Sequence, residues 1–372
     1  MASLGCTAPA QKVSLHYWFL ESRSVQVSRA EYGISRAGQV VYKYRLTNDL
    51  GMSVELITYG GRVTAVRMPS AHRNLENVVL GFDDLASYEQ DSAYLGALVG
   101  RYANRIAGAS FSIEGKTYQL SANEADNQLH GGHSGLHNRV FQAEVFEGKD
   151  EVGVELSALL EDRLEGFPGN LSVRVRISLT SRNELKFDYQ ASCDRTTHIN
   201  LTHHGYFNLA GSDSGSCMGH ELWIDADRYT PVDSQSIPTG EQRAVSDTVF
   251  DFRQAKSLGA DSGAFVGEPA GFDHNFVLNK RGGELTEIAR LKDPVSGRSM
   301  LVSTTQPGVQ LYTAQYLDSR SADSRVRFAP YTGVCLETQH FANSPNETVF
   351  PSTLLQPGEE YSHTTIYRFE YK

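Results

Sequence analysis

Apolar and polar residues alternate with a period of two over much of the chain. Val173, Val175, Ile177 and Leu179 take turns with Arg174, Arg176, Ser178 and Thr180, the pattern of a strand with one buried and one solvated face. "LKFDYQAS" (residues 185–192) repeats it, and the intervening "SRNE" reads as a hairpin turn. Residues 111–120, "FSIEGKTYQL", predict a second hairpin with its turn at Glu114-Gly115. "DPVSGRSMLV" (residues 293–302) and the closing "TTIYRFEYK" continue the theme. Long helical periodicity is scarce and no fixed-length repeat is visible. Many short strands punctuated by turns predict an all-β fold, a large many-stranded antiparallel β-sandwich. Residues 1–31 show no sustained periodicity and read as an N-terminal extension, leaving 32–372 as a single domain. The Gly/Asp/Ser-rich run from Leu258 to Gly271 reads as a surface loop rather than a linker.

Composition narrows the partners. With 34 Lys and Arg against 44 Asp and Glu, the formal charge is −10, which disfavours nucleic acid and anionic lipid. Four scattered cysteines, Cys6, Cys193, Cys217 and Cys335, form no C-x-x-C pair, so neither a thiolate metal site nor a disulfide framework is expected. The apolar run "LHYWFL" (residues 15–20) is interrupted by His16 and is a poor signal peptide. No stretch approaches the length of a membrane span. A cytoplasmic protein is expected.

Chemistry-bearing residues are ambiguous one at a time. "NLTHHGYFNLAG" (residues 200–211) holds adjacent His203 and His204, which a strand would send to opposite faces. "LHGGHSGLHNR" carries His130, His133 and His137, but no H-E-x-x-H or facial-triad spacing accompanies them, so no metal is expected. "GVCLETQHF" (residues 333–341) reads as a strand with Cys335, Glu337 and Gln339 on one face, and Glu337 is either surface decoration or a site residue. By residue type alone Asp273 suits a turn, Arg101 and Arg105 suit solvent, and Tyr206 and Phe207 suit a core. No G-x-S-x-G elbow, P-loop or dinucleotide fingerprint occurs.

Their order is more informative. "GRYANRIAGASFSIEGKTYQL", "NQLHGGHSGLHNRVF", "THHGYFNLAG", "DHNFVLN", "PGVQLYT" and "GVCLETQHFANSPN" follow one another, and the series closely resembles the aldose 1-epimerase (mutarotase) family from about Tyr42 onward. The resemblance implies a cofactor-free isomerase acting on free hexoses such as galactose and glucose. It implies that Asn104, Arg105, Tyr206, Asp273 and Gln310 bind the sugar. His130 would hold it near the reacting centre, His204 would be the general acid and Glu337 the general base. The substrate would be a small-molecule aldose, and the protein a monomer or homodimer. Two departures flank the acid: His203 replaces the common Asn, and Gly205 the common Ser or Thr. Cys335, on Glu337's face, is expected to be a thiol reachable from the pocket. Rival readings are a hexose-phosphate epimerase, a non-catalytic sugar-binding protein and a two-carboxylate glycosidase.

Overall fold

The alternating segments pair as their patterns require. A computed structural model describes residues 25–69, 75–264 and 269–371. The hairpin of strands Leu171–Thr180 and Glu184–Cys193 sets Val173 against Ala191, Ile177 against Phe187 and Leu179 against Leu185. Those apolar residues are nearly or fully buried, while Arg174 and Arg176 face outward. Fully burying such a side chain contributes roughly 1.5–3 kcal/mol before entropy is counted. The hairpin lies inside a nine-stranded antiparallel sheet. The last strand of the chain, Tyr361–Tyr371, runs in its interior, between Glu184–Cys193 and Arg298–Thr304.

A five-stranded meander packs beside it: Val25–Ile34, Val40–Asn48, Ser53–Ile57, Arg62–Pro69 and Leu75–Asn77. Its first strand corrects the boundary drawn at residue 31, because pairing with Val40–Asn48 already begins at Val25. This is an edge strand with most side chains exposed or half-buried, so it carries no strong alternation to read. "LHYWFL" lies outside the described residues.

A second five-stranded sheet has the order Arg243–Ala244, Arg228–Thr230, Asp273–Val277, Gly308–Tyr312, Cys335–Gln339. One apolar cluster joins all three sheets, including Leu46, Val66, Ile177, Phe187, Phe276 and Val309. Among the described residues the one α-helix is the single turn Leu85–Tyr88, and no helix is long and apolar enough to cross a membrane. The described part of the Leu258–Gly271 run forms turns and a short 3-10 segment, Ser262–Ala264.

Candidate active site

The second five-stranded sheet presents one face to a cavity of about 600 Å³. Its register stacks residues in rows: Asp273 opposite Tyr312 and Tyr312 opposite Cys335, then Asn275, Gln310 and Glu337, then Val277, Gly308 and Gln339. Directly opposed residues share a face, and so do alternate residues along a strand. Asp273 and Glu337 therefore emerge on the same side and line the cavity with Asn104, Arg105, His130, His204 and Tyr206. Gln310 takes a different place. It sits behind Asp273, its Nε2 donating to Asp273 Oδ1 at 2.7 Å, and so aims a carboxylate rather than lining the cavity.

The strand Thr202–His204 pairs with Ala97–Val99 and separates its two histidines. His203 turns into the core and stacks on Phe187 at 4.5 Å. His204 turns to the cavity, with Nε2 3.5 Å from Glu337 Oε1. The His204 ring stacks on Tyr206 at 5.0 Å, and Tyr206 donates its hydroxyl to Ala93 O. Gly205 has no room for a side chain: a Cβ there would lie 2.6 Å from His203 Cε1. The two departures around the acid are thus one structural change, the bulk of an imidazole offset by a glycine. Cys335 is not a pocket thiol. It is fully buried, with Sγ 3.6 Å from His204 Nδ1, and burial pushes its thiol well above the usual range. That contact occupies Nδ1 and leaves Nε2 facing Glu337.

Two short strands, Arg105–Ile106 and Gln128–Leu129, place the remaining groups. Both Asn104 and His130 flank this ladder with positive φ, 67° and 52°, a costly conformation for residues with a Cβ and one that clusters at functional sites. Their backbones are tied together: His130 N–H donates to Asn104 O, and Asn104 N–H donates to His130 Nδ1. Arg105 is clamped by Glu124 through Nε and Nη2 at 2.6 and 2.7 Å, with Asp273 3.8 Å away. Burial lowers its pKa, but Glu124 and Asp273 outweigh that and raise it overall, so it stays a cation. Arg101, expected in solvent, is buried instead and donates to the carbonyls of Pro168 and Leu160.

Burial dominates the electrostatics. It lowers the His204 imidazolium to about 4 and raises the Glu337 carboxyl well above its ordinary value, helped by nearby Asp273 and opposed by Arg105. His130 is pushed well below the imidazole range by the same cause and is neutral. Ligand atoms of His130, His204 and Glu337 lie within 4.8 Å of one another, close enough to suggest a metal. The tautomer argues against it. His130 Nδ1 accepts a backbone N–H, so neutral His130 carries its proton on Nε2, a donor rather than a ligand. Two donors remain, short of the three a catalytic zinc needs.

Sequence reasoning missed several residues of the cavity wall. Tyr94 makes edge contacts with His130 at 4.6 Å and stacks over His204 at 5.9 Å. Glu124, Tyr312 and the exposed Tyr316 also line the wall. Tyr312 lies in "PGVQLYT" without standing out there, and Tyr94, Glu124 and Tyr316 lie outside the quoted motifs altogether. Residues 42–368 match the aldose 1-epimerase family model. The chain is 42% identical to galactose mutarotase of Bos taurus over 347 residues, 93% of this chain and 99% of that one. It is 35% identical to aldose 1-epimerase of Escherichia coli K12, covering 89% and 96%. A solved structure of a GalM/aldose epimerase homologue from C. elegans is similar with a TM-score of 0.80 and 30% identity, covering 87% of this chain and 96% of that one. Sheet, cavity and matches converge: this chain belongs to the aldose 1-epimerase family.

Proposed function

We propose that this aldose 1-epimerase interconverts the α and β anomers of free hexoses with Glu337 as base and His204 as acid. The observation that carries the assignment is their 3.5 Å approach at the floor of the cavity. In the reactive form the one proton of the pair has passed from Glu337 to His204. Glu337, as carboxylate, then takes the proton from the anomeric hydroxyl while the His204 imidazolium gives its Nε2 proton to the ring oxygen. The bond between C1 and the ring oxygen breaks, leaving an aldehyde. Rotation about C1–C2 and reclosure, with the two residues exchanging roles, deliver the other anomer. His130 Nε2–H, Arg105 and Asp273 serve as donors and acceptor for sugar hydroxyls, and Tyr206 supports the His204 ring. Positioned acid–base groups of this kind contribute about 10²–10⁴-fold each.

The charge of the wall favours a neutral sugar over a phosphorylated one. Among the described lining residues Arg105 is the one Lys or Arg, and Glu124, Asp273, Asp318 and Glu337 share the wall with it. Polarimetry on fresh α-D-galactose, α-D-glucose and a hexose 6-phosphate tests the reading. Mutarotation of the first two should accelerate and that of the phosphate should not. Glu337→Gln should abolish most turnover while sugar binding persists. Near-normal turnover in that variant moves the base elsewhere, with Asp273 the first suspect.

A further inference from the structure

Beneath the cavity the same sheet face carries a row of buried polar residues that the reaction described above does not use. Thr230 stands opposite Asn275, Asn275 opposite Gln310, and Gln310 opposite Glu337. Gln339 follows Glu337 on that face, opposite Gly308. Thr230 and Gln339 are fully buried, and Asn275 and Glu337 nearly so. Yet Thr230 Oγ1, both amide atoms of Asn275, both of Gln339 and Glu337 Oε1 have no hydrogen-bond partner within the protein, the 3.5 Å approach of His204 Nε2 to Oε1 being a charge contact only. Gly308 explains how they converge. A Cβ at that position would lie 2.3 Å from Asn275 Oδ1 and 2.9 Å from Phe341 Cε1, so the Asn275 amide reaches across the glycine toward Gln339.

Buried polar atoms are almost always paired, with protein or with ordered water. Such a water makes about three hydrogen bonds and needs several converging polar groups, which this face supplies. We propose that Asn275 and Gln339 are positioning residues for the epimerisation: water held between their amides donates to Glu337 Oε1, fixing the carboxylate so that its other oxygen meets the sugar. The proposal rests on Glu337 being the base. A donor to Oε1 also favours the ionised form of a carboxyl that burial otherwise keeps protonated. His204, His130, Arg105 and Asp273 also face Glu337. Cys335, Tyr206 and Tyr367 feel its charge and stay neutral, because burial raises each.

The test replaces each amide by an apolar side chain of similar size, Asn275→Leu and Gln339→Met. Expected are a kcat lower by about ten-fold, a KM within about two-fold of wild type, and a Glu337 carboxyl titration raised by on the order of one pH unit. Infrared difference titration reads the carboxyl, with Glu337→Gln assigning its band. An unmoved carboxyl titration in the folded variants overturns the proposal, whether or not kcat falls. Should neither variant fold, a high-resolution crystal structure of the wild-type protein decides. Water within hydrogen-bond distance of Glu337 Oε1 and of either amide supports the inference, and none there overturns it. Full turnover in Glu337→Gln would instead defeat the assignment of the base itself.

Discussion

Glu337 and His204 sit 3.5 Å apart where bulk water stabilises neither charge. The sign of each shift follows from burial, which opposes the charged form: carboxylate for Glu337, imidazolium for His204. The reactive pair holds one proton. Below the His204 value of about 4 the pair gains a second proton and has no base. Above the raised Glu337 value it loses its one proton and has no acid. A bell-shaped kcat/KM is therefore expected, its two apparent pKa values belonging to the pair; a monotonic profile from polarimetry across pH contradicts it. The neighbouring positions make a second prediction. Gly205→Ser places a Cβ into the His203 ring and should cost about 1–3 kcal/mol by thermal denaturation. His203→Asn removes the ring stacked on Phe187, costing about 1–3 kcal/mol with turnover largely kept. Together the two should cost less than their sum, by about 0.5–3 kcal/mol of coupling; strict additivity would refute the offset described above.

At the level of elements, the strands with strong alternation were legible, because a half-buried strand must write its burial into every second residue. The first strand was not, since an exposed edge imposes no such pattern. Motif order named the cavity residues Asn104, Arg105, His130, His204, Tyr206, Asp273 and Glu337. It also named Gln310, whose place behind Asp273 depends on strand register, while Glu124 and Tyr94 depend on loop closure that no local pattern records. Arg101 was misjudged for a related reason: residue type says solvent, and only the fold supplies two backbone carbonyls to hold it. Arg105 stands on a ladder of two residues, held in direction by Glu124. Arg105→Ala should raise KM about ten-fold or more with a smaller effect on kcat, because the guanidinium offers hydrogen bonds and no proton. Glu124→Gln should raise KM by less, since it loosens the side chain without removing it. Steady-state kinetics with galactose would show the order reversed if Glu124 itself held the sugar.

Across the whole molecule, three sheets share one core, and the two halves of the nine-stranded sheet are joined by the single strand Tyr361–Tyr371. Tyr361–Tyr371 separates Glu184–Cys193, which precedes every strand of the site sheet in sequence, from Arg298–Thr304, which lies among them. During synthesis, the two halves of the nine-stranded sheet therefore cannot join until residues 361–371 have been made. Each half presents an unpaired edge, a template for pairing with other chains. Folding is then governed by contacts distant in sequence, which are slow to form. A chain ending at Glu360 should accumulate in the insoluble fraction although every cavity residue is present. Adding residues 361–372 as a separate peptide during refolding should restore soluble, active protein in proportion to peptide concentration. Soluble, active truncated enzyme without the peptide would show that the two halves find each other unaided.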